Sequence, residues 1–258
     1  MLPLENKSVL VTRPKDQAGS LATDLAAIGG TVIRAPMIDI CPVDGLDFSI
    51  IHRALAKSEL VIFLSVNAVH YGLVNCPELI QYLKEKKIFA IGSSTACSLG
   101  QLDLKSICYP ENDNTSEGLL GLAEMTERSV NSKGVVIFRG EGGRRKLDMV
   151  LSQRGATVTN VECYRRVRNT LSLREVFDFH GTVLPDLVIS TSGSIINNLV
   201  EKIKIEDLPA LYDVPMVVVS RRLERAAKQI GFRGEIISAE NSTNNAILQA
   251  IKIWLKGR

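Results

Sequence analysis

The chain has little histidine, no clustered cysteine and almost no net charge. His52, His70 and His180 are its three histidines. None stands in an H-E-x-x-H run or beside a carboxylate pair in the sequence, which speaks against a charge-relay enzyme or a metalloenzyme. The five cysteines, Cys41, Cys76, Cys97, Cys108 and Cys163, are odd in number and widely spaced, with no C-x-x-C. Neither a disulfide framework nor a zinc knuckle is expected, and no thiolate or imidazole cluster is expected to hold a metal. A reducing cytoplasm fits this usage. Thirty-one basic residues against 28 acidic ones leave a formal charge of +3, a weak field for a nucleic-acid binder. Local basic clusters at 144–146, 165–168 and 221–225 read as solvated faces. No apolar run reaches the roughly 18 residues that cross a bilayer. The opening MLPLENKSVLV lacks the apolar core and small-residue cleavage pattern of a signal peptide.

What the chain does have is alternation. Its 258 residues, 45% of them apolar, suffice for one large or two modest domains with a real core. Short apolar runs at 9–12, 31–35, 60–64, 88–91, 135–138, 157–161, 187–189 and 216–219 read as strands. Helical stripes lie between several of them: Leu21, Leu25 and Ile28, stopped by Gly29 and Gly30; Leu223, Ala226, Ala227 and Ile230; and Ile247, Ala250, Ile251 and Trp254. Near-continuous apolar strands separated by helices predict parallel sheets covered on both faces. Trp254 falls in a stripe and reads as core.

The sequence also repeats itself. VLVTRPKDQAGSLATDLAAIGGTVI (9–33) aligns without a gap on VVIFRGEGGRRKLDMVLSQRGATVT (135–159), pairing Arg13 with Arg139, Leu21 with Leu147, and Gly29 with Gly155. VIFLSVNAV (61–69) matches VISTSGSII (188–196), and the run from Lys87 matches that from Pro215. Two similar domains are therefore expected. The simplest cut falls near residue 127. The extended, proline-punctuated segment 36–45 and its strand-like counterpart 161–167 offer another reading, in which the chain crosses between domains twice and the middle of the chain is inserted.

In open parallel sheets ligands bind beyond the carboxyl ends of the strands. The turns there are TRPKDQ (12–17), SVNA (65–68), GSST (92–95), RGEGGR (139–144), STSGS (190–194) and SRRLE (220–224). Most precede a helix, whose first N–H groups attract anions, although Ser, Thr and Asn also serve as ordinary caps. The glycine-rich RGEGGR fails as a nucleotide site. G-x-x-x-x-G-K-[ST] is absent, Arg145 stands where G-x-G-x-x-G needs its third glycine, and Glu162 alone gives little support for a ribose contact. No G-x-S-x-G surrounds Ser192. What remains is a set of backbone donors, hydroxyls and arginines suited to a ligand with several carboxylates or phosphates.

These residues resemble the uroporphyrinogen-III synthase family. The N-terminal run 9–25, VIFLSVNAV (61–69), AIGSSTACSL (90–99) followed by PENDNTSEGLL (110–120), VIFRGEGGRRKL (136–147) with RGATVTNVECYRR (154–166), LVISTSGSI (187–195), VSRRLERAA (219–227) and STNNAILQAI (242–251) follow the family's order over nearly the whole chain. The resemblance implies two similar parallel-sheet α/β domains joined by a two-stranded crossover. One would hold residues 1–38 and 167–258 and the other 42–162, with linkers at 39–41 and 163–166 and a ligand cleft between the domains. It implies hydroxymethylbilane, a linear tetrapyrrole with an acetate and a propionate on each pyrrole, as substrate and uroporphyrinogen III as product. The reaction is a dehydrating cyclisation that inverts the last pyrrole through an azafulvene and a spiro intermediate. Because the azafulvene closes unaided to the type I isomer, the enzyme's task is mainly orientation.

Tyr164 matches the family tyrosine at the domain junction and is the expected catalytic residue. A phenol with a pKa of about 10 stays protonated and can donate a hydrogen bond to the departing hydroxyl. A ladder packing role is its competing reading. Thr12, Arg13, Ser65, Asn67, Thr95, Arg139, Gly140, Gly143, Ser190, Ser192, Ser220 and Arg222 fall at matching turns and are expected to position carboxylates. Arg13 and Arg139 could equally brace their own turns, and Arg222 could face water. No cofactor or metal, no nucleic acid and no membrane is expected. The chain is expected to be a monomer, with the preceding pathway enzyme as a transient contact. The alternative function is a two-lobed binding protein for a small polyanion, which should carry an export signal.

Overall fold

The apolar runs fold as strands of two five-stranded sheets. The computed structural model describes residues 2–73 and 76–256, which form two units, Met1–Asp39 with Val167–Arg258, and Ile40–Arg166. The first unit opens with β1 (Ser8–Val11), α1 (Lys15–Ala27) and β2 (Thr31–Arg34). The chain passes to the second unit within β3 (Ile38–Pro42). There follow α2 (Phe48–Ala56), β4 (Leu60–Phe63), α3 (Val66–Leu73), α4 (Leu79–Leu83), β5 (Lys87–Ala90) and α5 (Ser93–Gly100). Next come α6 (Ser116–Leu120), α7 (Glu127–Val130), β6 (Gly134–Gly140), α8 (Lys146–Gln153) and β7 (Thr157–Arg168). The chain returns to the first unit near the end of β7 and completes it with α9 (Leu173–Phe179), β8 (Leu187–Ser190), α10 (Gly193–Ile205), β9 (Met216–Val218), α11 (Arg221–Ile230), β10 (Ile236–Ser238) and α12 (Asn244–Lys256).

The strand orders are β10-β9-β8-β1-β2 and β3-β7-β6-β4-β5. Every neighbouring pair in the first sheet, and in the β7-β6-β4-β5 part of the second, is parallel. Alternation along each strand splits the core in two. Leu10, Val188, Met216 and Val218 pack on one face of the first sheet, and Val9, Val11, Leu187, Ile189 and Val217 on the other. The second sheet divides likewise, with Val61, Phe63, Ile88, Val136 and Phe138 on one face and Leu60, Ile62, Phe89, Val135 and Ile137 on the other. Burial of each such side chain contributes about 1.5–3 kcal/mol.

The internal repeat holds at the level of register. Ser8 lies opposite Thr31 in the first sheet, and its repeat counterpart Gly134 lies opposite Thr157 in the second. Val9 faces Leu187 as Val135 faces Leu60, and Val188 faces Met216 as Val61 faces Ile88. The order β2-β1-β8-β9 thus reproduces β7-β6-β4-β5. The matched glycines Gly29 and Gly155 end α1 and α8 with φ of +92° and +82°. A Cβ there would lie 2.7 Å from the Leu2 Cβ and 2.2 Å from the Asn131 Oδ1, so glycine is required twice over. The sheets differ at their edges. β10 has only a single parallel bridge, Phe89 to Cys108, as its counterpart.

Segment 36–45 is extended as expected, and β3 forms within it as an edge strand beside β7. The short β10 has no long apolar run to announce it. Ile230 is 38% exposed, so the apolar stripe of α11 narrows to Leu223 and Ala227. Trp254 is core, 5% exposed, with its indole N–H donated to Glu235 at 3.0 Å.

Candidate active site

Tyr164 owes its position to an irregularity in β7. Arg139 lies opposite Glu162, but Gly140 lies opposite Tyr164, so Cys163 is passed over. Such a bulge re-aims side chains. Here it turns both Cys163 and Tyr164 into the same apolar cluster. Cys163 donates its S–H toward the Arg139 and Ala68 carbonyls at 3.4 and 3.6 Å. Burial pushes its thiol up to about 12, which leaves it inert as a nucleophile.

The Tyr164 ring is 3% exposed, and its hydroxyl oxygen accepts two hydrogen bonds. One comes from Ser65 Oγ at 3.0 Å and one from the Arg166 guanidinium at 3.2 Å. The Arg166 Cζ also lies 5.3 Å from the ring centroid. Ser65 Oγ accepts in turn from the Ala68 N–H at 3.0 Å, at the start of α3. That bond occupies a serine lone pair and leaves the serine proton for the phenol. A cavity of about 300 Å³ opens here, lined among others by Asn114, Thr115, Arg139, Gly140, Tyr164 and Arg166. It lies at the carboxyl ends of β4, β5 and β6, where parallel sheets bind ligands.

Arg139 is 3% exposed, and most of its donors are committed internally. One terminal nitrogen donates to Asp148 and Asn160, both at 3.3 Å, and the other to the Arg144 carbonyl at 2.7 Å. The guanidinium braces its own loop and touches the cavity from beneath. Gly143 makes room for it, since a Cβ there would lie 2.7 Å from an Arg139 terminal nitrogen. Arg13, its counterpart in the first unit, instead ties its turn to the loop before α12, donating to Asn244 Oδ1 at 3.1 Å and the Ser242 carbonyl at 2.5 Å. Burial pulls its guanidinium below the ordinary value. The Nε of each arginine has no protein partner.

The other expected residues divide between the units. Thr12 is fully buried and donates to the Ile189 carbonyl at 2.6 Å. Ser190 is also fully buried, with its hydroxyl unpartnered. Ser192 and Ser220 accept from the Ile195 and Leu223 N–H groups at 3.3 Å, capping α10 and α11. Arg222 is exposed on α11. In the second unit, Thr95 is buried in α5 and Asn67 is half-buried on α3, and neither lines the Tyr164 cavity. A second cavity, of about 1060 Å³, lies between the starts of α11 and α12 and includes Ser220, Arg221, Arg225, Asn241 and Thr243.

Several residues escaped the sequence reading. Arg166 belongs to a basic cluster that reads as solvated, yet it bonds Tyr164. Its spacing of two along a strand, which puts it on the same face, was the available signal. Arg144, Asn114 and Thr115 carried no such signal. Arg221 and Arg225 likewise line a cavity although their cluster reads as solvated. The expectation that no thiolate or imidazole cluster exists is also corrected, because folding brings His52, Cys76 and Glu78 together, with ligand atoms all within 4.8 Å of one another.

Among the described residues no helix is long and apolar enough to cross a membrane. The family model for uroporphyrinogen-III synthase HemD matches residues 19–249. The chain is 31% identical over 260 residues to the uroporphyrinogen-III synthase of Escherichia coli K12, an alignment covering 95% of this chain and all of that one. It is 31% identical over 262 residues to the Salmonella typhimurium enzyme, again with 95% and 100% coverage. In fold it is similar to the crystal structure of uroporphyrinogen-III synthetase from Helicobacter pylori, with a TM-score of 0.62 at 17% identity over 98% of this chain and all of that one. A mutant uroporphyrinogen III synthase from the extreme thermophile Thermus thermophilus gives 0.60 at 18% identity over the same shares. With a strand order and register that repeat through two units, and relatives aligned along its whole length, the chain belongs to the uroporphyrinogen-III synthase family.

Proposed function

We propose that Tyr164 is the proton-donating contact in the dehydrating cyclisation of hydroxymethylbilane, and that the polar strand ends of each unit hold the substrate's acetates and propionates. The family's enzymes are cyclising lyases of heme biosynthesis that act on hydroxymethylbilane. The observation that carries the residue assignment is the hydrogen-bond pattern at the phenol. Ser65 and Arg166 both donate to its oxygen, so the phenol's own proton remains for a ligand. Donation from a cation polarises the O–H and strengthens it as a donor. As the terminal C–O bond breaks, the pyrrole nitrogen supplies the electron pair, the phenol's proton passes to the departing hydroxyl to make water, and the pyrrole N–H proton, lost as the azafulvene forms, restores the phenol through solvent. A hydrogen bond to that oxygen strengthens as charge develops on it.

Ser192, Ser220 and Ser65 cap helices whose first N–H groups attract carboxylates. Arg13 and Arg139 stiffen the turns that present those groups. We also assign the chain to a reducing cytoplasm, which its five unbridged cysteines support.

The test is Tyr164→Phe, assayed by oxidising the products and separating the isomers. Type III formation should fall about 100-fold, the lower end for loss of a positioned proton donor, while type I continues to form spontaneously. The ring remains, so the fold should persist. A folded Phe variant that makes isomer III at the parent rate would reduce Tyr164 to a packing residue.

A further inference from the structure

We infer that His52, Cys76 and Glu78 form a binding site for a thiophilic divalent cation of the zinc class, lying in the second unit apart from the Tyr164 cavity. The three residues come from two places in the chain. His52 projects from α2, while Cys76 and Glu78 lie in the turn that enters α4. That turn is fixed by its backbone, with the Cys76 N–H bonded to the Leu73 carbonyl at 3.2 Å and the Leu79 N–H to the Cys76 carbonyl at 3.0 Å. Glu78 stands at the N-cap of α4, where its side chain makes no capping bond and interacts with Cys76 instead. The His52 ring packs edge-on to Tyr82, with centroids 5.0 Å apart and planes at 89°, which limits its rotation.

The spacing suits a metal. Cys76 Sγ and His52 Nε2 are 3.9 Å apart. Bonds of about 2.3 Å to sulfur and 2.0 Å to nitrogen, at a tetrahedral angle, put such atoms about 3.5 Å apart. That pair needs a shift of a few tenths of an ångström, and the Glu78 carboxylate, with all three ligand atoms within 4.8 Å of one another, completes the site by side-chain rotation of up to about 1.5 Å at its exposed end. One thiolate, one imidazole and one carboxylate select zinc, cobalt or copper over magnesium or calcium, which prefer all-oxygen shells. Three protein ligands leave a fourth position for water.

The free thiol is protonated, pushed up to about 11 by burial and then by the Glu78 carboxylate beside it. When the metal–sulfur bond forms, that proton passes to solvent, and no electron changes hands. None of the three residues lines the Tyr164 cavity, so the cation takes no part in the cyclisation. Its effect is to tie α2 to α4, whose Ile51, Leu55, Leu79 and Leu83 share one core. A cation that binds only the folded unit raises its stability.

The experiment is a titration of the full chain with Co2+, followed by the near-ultraviolet thiolate-to-cobalt charge-transfer band and by thermal unfolding, with Zn2+ as competitor. The expected result is one Co2+ per chain at this band, displacement by Zn2+, and a higher melting temperature with either ion. Cys76→Ser should abolish the band. His52→Gln and Glu78→Gln should each weaken binding at least about tenfold, the scale already lost on removing groups that merely support metal ligands. Cys97→Ser, at an exposed cysteine elsewhere, should change nothing. The His52→Gln chain should form isomer III at the parent rate. If Cys76→Ser fails to fold because its site is buried, the His52 and Glu78 variants decide the matter. A band that survives Cys76→Ser, or that vanishes with Cys97→Ser, overturns the proposal. So do His52→Gln and Glu78→Gln chains that bind as the parent does, or a parent chain that binds no Co2+.

Discussion

Gly140 sets how closely Tyr164 can approach the β6 backbone. A Cβ at Gly140 would lie 2.6 Å from the tyrosine Cζ and 2.9 Å from its hydroxyl oxygen, so any side chain must push the ring away. Overpacking of this kind costs about 1–3 kcal/mol, which a core of this extent should survive. Gly140→Ala is therefore expected to fold but to lower isomer III formation about 100-fold, as losing the hydroxyl does. Adding it to Tyr164→Phe should cost little more, because residues acting as one unit are not additive. Separate, multiplying losses in the double variant would show that the glycine acts elsewhere. At this scale the site was only partly legible. Tyr164 was reached through resemblance. The part played by Arg139 stayed open because its partners Asp148 and Asn160 are fixed by folding rather than by spacing. The same holds for His52 and Cys76, which look isolated in the sequence and meet only when α2 packs beside α4.

The elements are joined by side chains that cap one helix from another. Glu206, at the end of α10, accepts from the Leu173 N–H at 3.0 Å, the Arg174 N–H at 2.9 Å and the Ser172 hydroxyl at 3.0 Å. It thereby closes the N-terminus of α9 from 33 residues further along the chain. Burial by itself would raise its pKa, but these donors and then Lys202 outweigh it and hold the carboxyl below its ordinary 4.5. A folded pKa below the unfolded one means the carboxylate's stabilisation is complete above the ordinary value and drains away as pH falls through the folded one. Glu206→Gln should therefore be less stable than the parent near neutrality, and the gap should narrow as denaturation is followed below pH 4.5. A gap constant with pH would mean that the charge contributes nothing. None of this long-range capping was readable in advance. The strands were, because burial on both faces makes the consecutive apolar residues unambiguous, four in β4 and three in β8. β10, with three residues at a sheet edge, carries too little apolar surface to stand out.

At the scale of the whole molecule, the duplication was legible because register and sequence repeat together, and its connectivity has a kinetic consequence. The second unit is one continuous stretch, Ile40–Arg166, whereas the first is assembled from both ends of the chain. β1 sits between β2 and the central strand β8 of the first sheet, and its pairing with β8 joins residues about 178 apart, as the Ser8–Asp186 bond shows. Closing so long a loop costs entropy before any contact repays it. Folding of the second unit removes most of that cost. Its own ends are neighbours, since β3 lies beside β7 and the Val43 N–H bonds the Cys163 carbonyl at 3.2 Å. The second unit is therefore expected to fold first and present the two halves of the first to each other. The chain carries its own probe of this order. Its single tryptophan, Trp254, packs with Val9, Leu21 and Leu25 in the first unit's core, so its fluorescence reports that unit alone, while far-ultraviolet circular dichroism reports both. After dilution from denaturant, a substantial part of the dichroism should return before the tryptophan signal. Destabilising the second unit with Phe138→Ala, a loss of about 3–5 kcal/mol in its core, should slow the tryptophan phase although Phe138 lies in the other unit. Coincident signals, or a tryptophan phase indifferent to Phe138→Ala, would mean that the two sheets form independently and that the long β1–β8 closure is not the slow step.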